Sequence, residues 1–499
     1  MKTTQITVSA LCLSLAAALG CSDADEFTPQ ENALVAQLEP LKGDQPRSPY
    51  NNMDQDDSIA ELGQMLFWDK DVAEAILVAG PSGNVGEIRK VACANCHDTK
   101  FFSDSHVSPG VSHGRSWLGT NTGAMVNLGW YDWTLSTGRF DSMVEHGTTV
   151  WGTSATPLAQ ARFLYRKYKD EYNGAFPSTP LDDRLGLAVT DPANVYPATG
   201  GAKANAAAVD GPFEKMPADA QSNIHQIRAN LGRAFDTYPR KLTTPDSPFQ
   251  RYVRDHDKSA LPDQAKRGLR LFIGKAACND CHTGPLLSDN QFHNVSTPDQ
   301  AMLPGATTPL AKNRGRAGVM TPILTNLATL VANPAAIVFN GAGPFSDNRD
   351  LGMQRLMAVR DEDQAHCVTR DATTQACTLY DESLEGAFRT ASLLNVAETA
   401  PYFHGGMIAT LEDVVRHYNA GGGAPGTFVG TKSSRLRPLM LTEDEIADLV
   451  EFLKSLTGVA PVDQNPTGDP TIWNWGKNIS KAPLPPDPPA MTMTMTPKP

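Results

Sequence analysis

The stretch VACANCHDTKFFSD, residues 91–104, sets two cysteines three residues apart with a histidine directly behind the second. Residues 277–289 read ACNDCHTGPLLSD, so a chain with 8 cysteines spells the same chemistry twice. In C-x-x-C-H the two thiols add to the vinyl groups of a porphyrin, and the adjoining imidazole takes its iron. Two copies predict two covalently bound haem c groups. Cys93, Cys96 and His97 hold one, Cys278, Cys281 and His282 the other, with His97 and His282 as proximal iron ligands. Zinc is the rival for paired cysteines, but zinc knuckles set their pairs about 15–20 residues apart. Here Cys93 and Cys278 lie 185 residues apart, and each pair is followed directly by a histidine. A redox dithiol asks for neither the histidine nor the repeated Ser-Asp tail.

Working outward, ELGQMLFWDK (61–70) and RGLRLFIGK (267–275) share Leu/Gly and Leu-Phe positions, and each precedes a cysteine pair. This predicts an internal duplication. Between the pairs, Ile224, Ile227, Leu231 and Phe235 recur at helical spacing. Near the end Thr442 and Glu445 form a capping box ahead of Ile446, Leu449, Val450 and Leu453, with Gly458 as the expected terminator. Convincing strand patterns are absent. The expected fold is mainly α, two cytochrome c-like haem domains from an internal duplication, with long loops. The expected divisions are a signal peptide (1–21), a flexible tether (22–55), an N-terminal haem domain (56–245), a C-terminal haem domain (246–460) and a proline-rich flexible tail (461–499).

The N-terminus, MKTTQITVSALCLSLAAALGCSD, has Lys2, an apolar run and small residues before Cys21. It reads as an export signal, too short and wrongly flanked to span a bilayer. The ALGC ending is similar to a bacterial lipobox, so Cys21 is the candidate lipid anchor of a periplasmic protein tethered to the outer membrane. Cys12 leaves with the signal. Cys367 and Cys377 remain, flanking a polar loop, and are expected to form a disulfide. The formal net charge of −12 over 499 residues argues against a nucleic-acid or anionic-membrane surface. It favours steering of a basic electron-transfer partner.

From Ile59 to Gly458 the sequence resembles the bacterial di-haem cytochrome c peroxidase and MauG family. The carrying segments are the two cysteine motifs, NTGAMVNLGWYDWTLSTGRFDSMVEHG, FRTASLLNVAETAPYFHGG and TLEDVVRHYNAGG. The resemblance implies a peroxidatic N-terminal haem fed with electrons by the C-terminal one. It puts His113 at the place of a displaceable distal iron ligand, with His106 as its neighbour. It puts Tyr418 at the distal ligand position of the second haem, with Met407 as runner-up. It also implies a calcium ion held by Asn121, Thr399 and Pro401. At the family's distal glutamine and glutamate stand His146 and Thr156, and Ser136 replaces an inter-haem tryptophan that Trp130 or Trp133 could replace. His146 is therefore the candidate acid–base residue.

Three functions follow as expectations. The first is an exported peroxidase reducing hydrogen peroxide with electrons from a small cytochrome c or cupredoxin. The second is a MauG-like oxidase acting on a partner protein. The third is a di-haem electron carrier with both irons closed. A homodimer is left open by the sequence.

Overall fold

The structure is a computed structural model describing residues 27–38, 45–97, 110–152, 157–188, 190–197, 210–299, 302–303 and 312–459. The expected signal peptide with Cys12 and Cys21, the tail from 461, His106 and Thr156 lie outside the described residues. Among the described residues the chain is mainly helical with few strands.

The N-terminal half packs α2 (Asp57–Trp68), α3 (Met143–Gly152), α4 (Pro157–Lys167) and α5 (Lys169–Ala175) around α6 (Ala218–Thr237), the first helix being α1 (Pro29–Gln37). Asp56 starts α2 by accepting the N–H groups of Ser58 and Ile59. Ile59, Leu62 and Leu66 then bury against α4–α6, where Ile224, Ile227, Leu231 and Phe235 point inward as their spacing predicts. Each such side chain contributes about 1.5–3 kcal/mol when fully buried.

The C-terminal half builds on α7 (Pro248–Arg254), α8 (Asp263–Ile273), α11 (Leu411–Asn419) and α12 (Glu443–Lys454). The Thr442/Glu445 capping box is formed as expected. The helix stops at Lys454, short of the expected terminator, because the Ser455 N–H already turns back onto Glu451 and Phe452 carbonyls. Gly458 instead donates its N–H to Asn395 Oδ1 at 2.9 Å.

Gly63 on α2 and Gly268 on α8 occupy the matched positions of the two similar segments. A Cβ at Gly63 would stand 2.3 Å from Ala234 O on α6, and one at Gly268 would stand 2.0 Å from Asp448 O on α12. Both helices cross their partners at a distance only glycine permits.

A third cluster joins α9 (Ala317–Ala332) to α10 (Arg349–His366), which runs into a hairpin of β2 (Cys367–Arg370) and β3 (Cys377–Tyr380). The Cys367–Cys377 disulfide closes that hairpin, as the cysteine count predicts. The remaining strands, β1 (Phe292–His293) and β4 (Phe388–Arg389), pair antiparallel.

The expected tether is corrected over its described part. Residues 27–38 and 45–55 fold onto the body rather than hanging free. Phe27, Val35 and Leu38 are buried in the C-terminal core, and Arg270 pairs with Glu31 at 2.9 Å. Gln45 Nε2 donates to the carbonyls of Pro239, Arg240 and Leu242. Polar composition hid three apolar anchors and a set of buried polar groups that pair with backbone. No helix among the described residues is long and apolar enough to cross a membrane.

Candidate haem sites

Each cysteine pair lies on a short 3-10 turn, Cys93–Asn95 and Cys278–Asp280. In the first, the N–H of His97 returns to Cys93 O at 2.9 Å, and in the second the N–H of His282 returns to Cys278 O at 2.9 Å. The turn thereby sets both sulfurs and the imidazole on one side. His97 Nδ1 donates to Gly123 O at 3.0 Å and His282 Nδ1 to Leu287 O at 2.9 Å. A proton held on Nδ1 leaves Nε2 as the lone pair, the tautomer that an iron requires. None of the four cysteines is in a disulfide, and burial pushes Cys93 and Cys278 each up to about 12. The donor set fits two covalent haems. Among the described residues, Cys281, Asp289 and His293 are grouped closely enough to share an ion. That group uses a sulfur the attachment motif commits to a thioether, which disfavours the zinc reading.

Phe67, Val126, Tyr238 and Leu242 wall the first site, with the Phe67 ring 6.4 Å from that of His97. His146, on α3, comes close enough to His97 for the two to interact electrostatically. Its ring stacks on Phe140 at 4.9 Å and 21°. Its Nδ1 is buried without a partner. Burial foremost, then the charges of His97 and Arg139, brings its pKa down to about 3, so the imidazole is neutral.

His113 is buried, and both its ring nitrogens are taken. Nε2 donates to Val78 O at 2.9 Å, and Nδ1 accepts the Ser82 N–H at 3.3 Å. The Trp117 ring stands edge-on 4.8 Å away. In this arrangement His113 presents no lone pair to an iron. The cradle leaves no mark in residue types, because Val78 and Ser82 contribute backbone groups.

At the second site, Tyr418 on α11 lies within electrostatic range of the Cys278 and Cys281 sulfurs, and burial pushes its hydroxyl above the usual phenol range. Phe403 packs beside it at 6.1 Å. Met407, the alternative, is 46% exposed. Of the two tryptophans, Trp130 packs against the C-terminal core that includes Cys278, with its Nε1 buried and unpartnered. Trp133 instead joins the α9–α10 cluster under the Arg316 guanidinium, 4.7 Å from its ring. Ser136 takes part through its carbonyl, which accepts the Arg389 N–H at 2.7 Å.

Of the three residues expected at a calcium, Asn121 and Pro401 are in direct contact. Asn121 donates its N–H to His404 O at 2.7 Å and its Nδ2 to Pro401 O at 2.6 Å, and Thr399 lies two residues away. Asn121 Oδ1 is buried without a partner. An orphaned carbonyl among backbone oxygens suits a hard cation.

Residues 57–258 match the family model of di-haem cytochrome c peroxidase. The chain is 35% identical over 216 residues to the cytochrome-c peroxidase IdrP1 of Denitromonas iodatirespirans, a stretch covering 43% of this chain and 46% of that one. It is 27% identical over 405 residues to IdrP2 of the same organism, covering 80% and 82%. MauG of Methylorubrum extorquens is 24% identical over 399 residues, covering 79% and 77%. A variant of the di-haem peroxidase BthA of Burkholderia thailandensis superposes with a TM-score of 0.52 at 18% identity, over 81% of this chain and 87% of that one. The haem-binding turns and the tautomer-fixed His97 and His282 agree with the likeness to di-haem cytochrome c peroxidases and MauG, whose family model matches residues 57–258.

Proposed function

We propose that the protein is an exported oxidoreductase that reduces hydrogen peroxide at its N-terminal haem, with electrons delivered through its C-terminal haem by a small cytochrome c or cupredoxin. The observation that carries this reading is His146 buried within electrostatic range of His97: a neutral imidazole, one nitrogen unpartnered, beside the first haem site. Haem at His97 and His282 supplies the electron-transfer and O–O-cleaving chemistry. His146 accepts the proton of one peroxide oxygen and returns it to the other, the role filled in relatives by residues that here are His146 and Thr156. His113 would hold the iron in one position and sits in the Val78–Ser82 cradle in the other, so its release into the cradle would open the site. Trp130 bridges the halves, and calcium at Asn121, Thr399 and Pro401 locks them together. Reading the N-terminus as an export signal puts the reaction in the periplasm, tethered to the outer membrane if Cys21 is lipidated.

Optical and electron paramagnetic resonance spectra of the oxidised and half-reduced protein, before and after one equivalent of peroxide, test the reading. A high-spin signal consumed by peroxide supports it. Two low-spin haems indifferent to peroxide in both states leave an electron carrier. A second reading, a MauG-like oxidase that modifies a partner protein, is favoured by Tyr418. A phenolate donates strongly and stabilises oxidised iron. Its mark is an oxidised intermediate that persists until a protein substrate is added.

A further inference from the structure

Asp141 stands two residues before α3 and Glu145 in its first turn, with Glu145 directly preceding His146 and Phe140, which stacks on His146, directly preceding Asp141. Both carboxyls are buried. The Gly341 N–H donates to Asp141 Oδ1 and Oδ2 at 3.0 and 2.9 Å. Glu145 Oε2 accepts the Asp141 N–H at 3.2 Å, and its Oε1 accepts Asn326 Nδ2 from α9 at 3.2 Å. Neither carboxyl forms an ion pair among the described residues. The nearest cations are Arg355 on α10, which faces Asp141 but is paired with Asp132 at 2.6 Å, and Arg139, which faces Glu145. Two adjacent carboxyls in dry surroundings do not both ionise, so the pair holds a proton. Burial raises both, and the Asp141 charge raises Glu145 further.

A cavity of about 220 Å³ opens on Asp141, the outer member of the pair, and is lined also by Tyr50, Trp130, Asp132, Arg240 and Arg355. Tyr50 Oη and Trp130 Nε1 are both buried and unpartnered. A polar cavity of that size with orphaned donors accommodates a chain of waters.

We infer that the Asp141–Glu145 carboxyl pair, reached from solvent through the Tyr50–Arg355 cavity, is the proton store of the distal pocket and supplies, by way of His146, the protons that peroxide reduction consumes. The inference rests on the peroxidase reading. Reducing one hydrogen peroxide to two waters takes two electrons, which the donor protein supplies, and two protons. The pair passes its proton toward His146 and regains one from the cavity, so it is unchanged after each turnover. It acts through His146 and is a positioning and proton-supply element rather than a catalytic contact. The carboxylate that relatives place at position 156 is thereby moved to the first turn of α3.

The test compares the haem-loaded wild type with Glu145→Gln and Asp141→Asn, which keep shape and hydrogen bonds. The infrared carbonyl stretch of a protonated carboxylic acid is expected at neutral pH in the wild type and lost in Glu145→Gln. Peroxide turnover in Glu145→Gln is expected to fall about 100-fold, the scale of general acid–base assistance, with a flattened pH profile and an unchanged ferric spectrum. Tyr50→Phe, which leaves the pair intact, is expected to retain the band and slow proton delivery, so that turnover falls and its solvent isotope effect grows. A wild type without the infrared band overturns the store. A band with wild-type turnover and pH profile in Glu145→Gln overturns the supply role. A band in a wild type that reduces no peroxide overturns the peroxidase reading, and the supply role with it, while leaving the held proton measured.

Discussion

Gly80 faces the His113 ring so closely that a Cβ on it would stand 2.4 Å from His113 Nε2. The cradle exists because position 80 carries no side chain, and the Gly80–Gly83 bridge holds the loop in place. Gly80→Ala is expected to evict His113, breaking its bonds to Val78 and Ser82. Two hydrogen bonds at about 0.5–1.5 kcal/mol each correspond to a shift of about ten-fold or more toward iron ligation. Paramagnetic resonance of the oxidised protein should show the gain as low-spin signal at the N-terminal haem. An unchanged spin distribution would falsify the two-position account.

Tyr418→Met exchanges a phenol for a thioether beside Cys278 and Cys281. The C-terminal haem potential is expected to rise, because thioether ligation favours reduced iron where phenolate favours oxidised iron. Spectroelectrochemical titration of both haems reads this. A C-terminal potential that stays at the wild-type value would remove Tyr418 from the iron, and Met407 would become the residue to examine.

His146 imposes a pH dependence on stability. Its pKa falls from an ordinary 6.5 to about 3 on folding. Between those values the unfolded chain binds a proton that the folded one refuses, so its contribution is intact above pH 6.5 and erodes as pH falls toward 3. The slope is about 1.4 kcal/mol per pH unit at most. His146→Phe is expected to flatten the acid limb of the Tm profile in that window. A profile parallel to wild type would mean that His146 is solvated in the folded protein.

Asn121→Ala deletes the amide that bridges to Pro401. Calorimetric titration with calcium is expected to show binding in the wild type and at least a ten-fold loss in the variant. Equal affinity would place any ion elsewhere.

The haem attachment turns were fully legible in the sequence because a covalent motif is local: five residues carry the thiols, the ligand and the turn. The amphipathic face of α6 was legible for the same reason, since its period is written in its own residues. Tyr418 was legible only by resemblance, its neighbours Cys278 and Cys281 lying far away in sequence. The His113 cradle was not legible, because it is made of carbonyl and amide groups that any residue supplies. Asp141 and Glu145 were overlooked for a different reason. Like charges four apart on a helix ordinarily mark a solvated face, and only Gly341, Asn326 and the α10 wall reveal them as buried. The segment before α2 misled through dilution, with Phe27, Val35 and Leu38 scattered among polar residues.

The bare crossings at Gly63 and Gly268 bear on how such a chain tolerates mutation. Four residues beyond each glycine, on the same helical face, stand Phe67 beside His97 and Phe272 in the core that includes Cys278. The registration of each aromatic against its haem turn is thus set by backbone resting on backbone. Side chains elsewhere in either core can drift in size and shape without displacing an iron, whereas one added methyl group at either crossing would move the whole platform.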